Sequence, residues 1–181
     1  ADYCVTLSLT QIPGIYAVRI TVDGEELPHR DTQIFRPSDV LLSSEEDVVR
    51  SLDVVLYFPE VSSQQLLARQ KTLTLYEGES AMGVLMEALQ AGPEEDGLLP
   101  LLPDGFHVLT VRLAEDGVCH LNLPAADLEL LPEGESAQLR MFRGIVRSLC
   151  SLDEVTSVQV LVDGEMRTSF GAVDISQPLS P

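Results

Sequence analysis

The sequence predicts an α+β fold in which helices cover one face of a mostly antiparallel sheet, in the element order β-β-α-β-β-α-β. Three observations carry this reading. Apolar residues at helical spacing, Leu139, Phe142, Ile145, Val146 and Leu149, lead into an alternating strand, Val158, Val160 and Val162. That strand closes on Val160-Leu161-Val162-Asp163-Gly164-Glu165, and nearly the same run stands 140 positions earlier as Ile20-Thr21-Val22-Asp23-Gly24-Glu25. Asp116-Gly117 sits between two further strand-like runs, the signature of a tight hairpin.

The elements follow in order. Val54–Phe58 is a dense apolar run, too short for an amphipathic helix, and reads as a strand. Thr72–Tyr76 reads as a second. Gly78-Glu79-Ser80 repeats the helix start Gly134-Glu135-Ser136, where Ser136 is placed to cap. Ala81, Val84, Leu85, Ala88 and Leu89 then form one apolar stripe, and Gly92-Pro93 stops that helix. A polar, proline-bearing loop covers Glu94–Gly105. Phe106–Leu113 is a strand, Asp116-Gly117 the turn, and Val118–Leu123 the returning strand. A short helical turn spans Ala125–Leu131. The helix from Ser136 ends near Ser151, and the Val158 strand and an extended terminal segment complete the chain.

The repeated run extends beyond its turn. Val5, Leu9 and Ile12 fall on Ile145, Leu149 and Leu152, and Val18, Ile20 and Val22 fall on Val158, Val160 and Val162. A shared helix stripe, strand alternation and turn make an internal repeat. The expected organisation is the C-terminal part of a first copy at residues 1–44, a linker at 45–51 and a complete copy at 52–181. On this reading the chain begins inside its first copy. Residues 1–42 should then mirror 141–181: a helix to about Thr10, a strand over Ile15–Val22 and an extended tail running to the region of Pro37.

Composition narrows the partners. The chain has 181 residues, 45% of them hydrophobic, and no Trp, so aliphatic side chains fill the core. Its net charge is −18, and Lys71 is the only lysine. Such a surface repels nucleic acid and anionic headgroups, which bind chiefly through Lys and Arg. No apolar run approaches the ~18 to 20 residues that span a bilayer, and no signal-peptide pattern is present. Cys4, Cys119 and Cys150 lack metal-ligand spacing and read as buried free thiols.

No catalytic, cofactor-binding or metal-ligating residues are expected. There is no G-x-S-x-G, no H-E-x-x-H and no glycine-rich phosphate loop. His29, His107 and His120 are the only histidines. His120 falls on the solvent face of its strand. Cys119 adjoins it but points to the opposite face, so the two cannot act as a thiol–imidazole pair. Glu45-Glu46-Asp47 and Glu94-Glu95-Asp96 lack the alternating ligand spacing of a calcium loop.

Several segments together resemble the GerMN domain, the sporulation and spore germination family. They are Leu85-Met86-Glu87-Ala88-Leu89-Gln90-Ala91-Gly92-Pro93, Leu102-Pro103-Asp104-Gly105, Glu115-Asp116-Gly117-Val118 with Leu121-Asn122-Leu123, Val160–Glu165, and Val173-Asp174-Ile175-Ser176-Gln177-Pro178-Leu179. The resemblance implies a ring-building-motif-like α/β arrangement and no catalytic residues or cofactor. It further implies a tandem-domain envelope lipoprotein, anchored at the outer face of the membrane through an upstream lipidated cysteine and acting on an envelope protein partner. A peptidoglycan- or glycan-binding module is the alternative, with Tyr57, Tyr76 and Phe106 the aromatics available to stack on sugars, and an unrecognised hydrolase the third reading. The apolar stripe of residues 1–42 should dock on the complete domain or, in a homodimer, on its own copy.

Overall fold

The computed structural model describes residues 2–12, 15–22, 24–26, 34–36, 48–76 and 78–181. The chain divides into two compact units, Ala1–Asp47 and Val48–Pro181. The division falls within the expected linker 45–51, whose last four residues are instead the start of a strand.

In the first unit, helix α1 spans Asp2–Leu9. Strand β1 (Val18–Arg19) pairs antiparallel with β4 (Ile34–Phe35), and β2 (Thr21–Val22) pairs antiparallel with β3 (Glu25–Glu26). The single strand expected over Ile15–Val22 is therefore two short ones, because its halves hydrogen-bond to different neighbours. Asp23, His29, Pro37 and Glu45-Glu46-Asp47 lie outside the described residues.

The second unit opens with a long hairpin, β5 (Val48–Pro59) and β6 (Leu66–Tyr76). The sequence exposes only the parts whose side chains enter the core. Arg69-Gln70-Lys71 is strand as well, since ladder hydrogen bonds use backbone groups and ignore side-chain polarity. Helix α2 (Ala81–Ala91) is capped by Ser80, whose Oγ accepts from the Gly83 N–H at 3.0 Å, and ends at Gly92 with φ +81°. The expected strand Phe106–Leu113 shortens to β7 (Thr110–Leu113), with Phe106 buried in the core. β8 (Val118–Leu123) returns, and a 3-10 helix covers Ala125–Leu130.

Helix α3 (Glu135–Leu149) is capped by Gly134, not Ser136. Gly134 takes φ +88°, and its carbonyl accepts from the Ala137 and Gln138 N–H groups at 3.1 and 3.2 Å, so Ser136 lies inside the first turn. β9 (Ser157–Val162), β10 (Ser169–Phe170) and β11 (Val173–Asp174) follow. The α+β class and the mostly antiparallel pairing hold, in separate ladders among the described residues. One ladder differs: β9 runs parallel to β8 in the order β7-β8-β9, because α3 carries the chain back across between them.

The core forms where α3 crosses this sheet. Val158, Val160 and Val162 meet Ile145, Val146 and Leu149 in one buried cluster, joined by Cys119, Leu121 and Leu123 from β8. Each aliphatic side chain so buried contributes roughly 1.5 to 3 kcal/mol. Leu139, expected in the helix stripe, is 40% exposed, and Met141 takes its place in the core. Gln159 is also buried, because the C-terminal segment covers that side of β9. Its amide donates to the carbonyls of Val160 and Ile175 at 3.0 and 2.9 Å, so no polar group is stranded.

The doubled run now has a structural meaning. Val162 bridges Glu165 around Asp163 (φ +50°) and Gly164 (φ +83°). In the first unit Val22 pairs with Glu25 around a turn holding Gly24 at φ +83°. Positive φ at the turn is cheap for Gly and tolerated by Asp. Asp163 also accepts from the Ala125 N–H at 3.2 Å, tying the turn to the start of the 3-10 helix.

Candidate functional site

Among the described residues, His107 and His120 do not assemble a reaction centre. His107 Nδ1 lies 3.3 Å from Asp127 Oδ1, while the His107 backbone N–H donates to Asp127 Oδ2 at 2.5 Å. The imidazole is 69% exposed and the carboxylate 4% exposed. Asp127 thus pins the 3-10 helix to the loop before β7, and among the described residues no nucleophile hydrogen-bonds to the ring. His120 faces solvent opposite Arg112, as strand alternation requires.

Cys119 is fully buried, with its Sγ 3.6 Å from Met82 Sδ. Burial, with a smaller contribution from Cys150, pushes its thiol up to about 12. Burial raises the Cys150 thiol as well. Such thiols stay protonated and behave as packing groups.

Two of the three acidic residues of Glu94-Glu95-Asp96, in the loop after α2, pair with β6. Glu95 Oε2 accepts from Arg69 Nε at 2.7 Å, and Glu94 Oε1 pairs with Lys71 Nζ at 2.5 Å. The hydrogen bond and charge of Lys71 hold the Glu94 carboxyl below its ordinary range. Among the described residues no three His, Cys, Asp or Glu side chains gather as metal ligands.

The aromatics are scattered. Phe106 is buried, and Tyr57 and Tyr76 sit eight ladder positions apart, opposite Ala68 and Val48, a separation of roughly 26 Å along the hairpin. They do not floor a common groove.

What the fold does build is a groove on α3. It has a volume of about 470 Å³ and lies between Ser136, Leu139, Arg140, Arg143 and Arg147 and the hairpin tip at Gln64, Gln65 and Leu66. The tip is fixed to the helix: Arg140 Nη2 donates to Gln64 Oε1 at 3.0 Å, and Gln64 itself takes φ +59°. The Arg147 guanidinium lies 5.8 Å above the Tyr57 ring. The sequence reading did not single out these arginines. The signal was present, three arginines at i, i+3 and i+7 on one helix of an acidic chain.

No described helix is long and apolar enough to cross a membrane. The chain is similar to three solved structures. The first GerMN domain of the sporulation protein GerM from Bacillus subtilis matches with a TM-score of 0.57 and 21% identity, over 71% of this chain and 97% of that one. The tandem GerMN domains of the same protein match with a TM-score of 0.55 and 18% identity, over 98% of this chain and 66% of that one. A candidate lipoprotein from Clostridium perfringens matches with a TM-score of 0.49 and 25% identity, over 76% of this chain and 93% of that one. No curated protein sequence matches the chain. The family model described as Germane, sporulation and spore germination, matches residues 55–168, from β5 through the β9–β10 connection. That match spans well over half of the sequence, and the chain belongs to the Germane family of sporulation and spore germination domains.

Proposed function

We propose that this protein is a non-enzymatic module of the cell envelope in sporulation or spore germination, and that it acts by binding another protein. The family match over residues 55–168 carries this reading. The dispersal of the titratable groups supports it, since His107, Cys119 and the Glu94–Asp96 loop each serve packing or local ion pairing. The tandem organisation belongs to the proposal too: residues 1–44 are the end of a first domain and residues 52–181 a complete second one. The matching registers of the Val22–Glu25 and Val162–Glu165 turns support that assignment. So does a second correspondence, for Val18 pairs antiparallel with Phe35 and Val158 with Leu179 in the segment beyond each turn. The module works outside the cytoplasmic membrane, held there by a lipid anchor in the full-length protein.

The first unit also presents an apolar stripe, with Val5 44%, Leu9 38% and Ile12 51% exposed. A second copy of the chain, presenting the same stripe about a two-fold axis, is the proposed cover. The functional reading is tested by photo-crosslinking from surface positions of the full-length protein in sporulating cells. A discrete crosslinked envelope protein is expected. Recovery of the protein in the cytoplasm without crosslinked species, or turnover of a peptidoglycan substrate by the purified chain, would overturn it.

A further inference from the structure

The surface of this protein is strongly acidic, yet one face of α3 is not. Arg140, Arg143 and Arg147 line the groove beside the β5–β6 tip. Among the described residues none of the three has a carboxylate partner, whereas Arg69, Lys71 and Arg167 each pair with a glutamate. With 29 acidic side chains against 11 basic ones, intramolecular neutralisation was readily available to the fold. Arg140 is held in place by Gln64, Arg147 lies over Tyr57, and Arg143 is exposed between them. Two guanidinium groups are therefore pre-positioned by neutral contacts that leave their charge uncompensated.

We propose that this groove binds an extended acidic segment of a partner protein, with carboxylates on alternate residues. The inference rests on the interaction reading above and names the chemistry of the partner. Helix rise separates Arg143 from Arg147 by about 6 Å and Arg140 from Arg147 by about 10.5 Å. Alternate side chains of an extended strand project on one face about 6.6 Å apart, close to the Arg143–Arg147 rise, so two such carboxylates meet Arg143 and Arg147. Guanidinium groups hold carboxylates through paired N–H donors, which favours that geometry over a diffuse charge. The apolar parts of the groove, Leu66 and the exposed Leu139, suit the side chains and backbone of a peptide. A long anionic polymer or a lipid surface would carry its charge past the groove onto a protein of net charge −18, whereas a short acidic segment places its charge only over the arginines.

The test uses the whole chain and a fluorescein-labelled Glu-Val-Glu-Val-Glu-Val peptide, with binding read by anisotropy. Saturable, salt-weakened binding is expected. It should fall about tenfold in Arg143→Gln, the loss of one charged hydrogen-bonding partner. Arg143→Lys should recover part of it, and Arg167→Gln, whose arginine already pairs with Glu165, should match wild type. Arg143 is exposed, so its variants keep the fold, and a superimposable melting curve verifies this. Binding unchanged in Arg143→Gln overturns the proposal. Equal binding of a Glu-Glu-Glu-Val-Val-Val peptide overturns it too, as does equal competition by inorganic polyphosphate. Cell crosslinks that survive Arg143→Gln would refute the groove and leave the interaction reading intact. Peptide binding without any cellular crosslink would do the reverse.

Discussion

The backbone N–H of Tyr57 donates to Ser148 Oγ at 3.0 Å, across 91 residues of sequence. Ser148 Oγ in turn donates to the Gly144 carbonyl at 2.8 Å, and one helical turn on, Ser151 Oγ accepts from the Val55 N–H at 3.1 Å. β6 occupies only one edge of β5. Two hydroxyls, Ser148 of α3 and Ser151 of the turn that follows it, meet N–H groups on the other edge, which would otherwise be an open template for pairing with another strand.

Ser148→Ala should therefore cost more than an ordinary surface hydroxyl. Ser148 is fully buried, and its loss leaves the Tyr57 N–H without a partner. A destabilisation of about 1 to 3 kcal/mol is expected from urea unfolding. A value within ~0.3 kcal/mol of wild type would show that water replaces the hydroxyl.

Gly144 is required by contact, not by backbone conformation. A Cβ there would lie 2.5 and 2.8 Å from the two terminal carbons of Leu101, which is itself buried. Overpacking costs typically about 1 to 3 kcal/mol, against roughly 1 kcal/mol of helix propensity gained from Ala. Gly144→Ala should be destabilising on balance. In the Leu101→Ala background the same change should become neutral or stabilising. Additivity in this double-mutant cycle would refute the contact.

Cys119 predicts an alkaline weakness. Its folded pKa is raised to about 12, from an ordinary value of 9.0. The stability it contributes is present in full below about pH 9 and is lost as pH rises toward 12, because the unfolded chain gives up the thiol proton first. Wild type should lose stability faster than Cys119→Ala over that window, by up to about 1.4 kcal/mol per pH unit. Parallel pH profiles in urea unfolding would show that the thiol is not insulated. A thiol-specific reagent at pH 8 should likewise spare Cys119 until the protein is denatured.

The exposed stripe of α1 and its following turn gives the last expectation. Light scattering should report a dimer at tens of micromolar. Ile12→Glu should weaken it by about tenfold to a hundredfold, the equivalent of one lost aliphatic burial. A monomeric wild-type mass would remove the homodimer from the account.

Much of the architecture was legible because it depends on local patterns. Val158, Val160 and Val162 alternate because their strand has one face on α3, and Asp163-Gly164 turns because those two residues accept positive φ. Ser80, Gly92 and Asp116-Gly117 act through chemistry within a few residues of themselves. The family followed from the same short segments. The sequence by itself thus determined the element order, most of the core and the identity of the doubled turn.

The tertiary structure decided what depends on residues distant in sequence. Gly134 displaced Ser136 as the helix cap because the entering chain needs a positive φ, which only the assembled turn reveals. β9 joined β8 in parallel because α3 carries the chain back across, and Gln159 was buried because the C-terminal segment folds over it. In the sequence Arg140, Arg143 and Arg147 are three arginines at i, i+3 and i+7 of one helix. They became the wall of a groove only when the tip of a hairpin more than 70 residues away closed against them, with Gln64 bonded to Arg140. Periodicity assigns a side chain to a face, but what stands opposite that face is set by packing between elements, which no local pattern encodes.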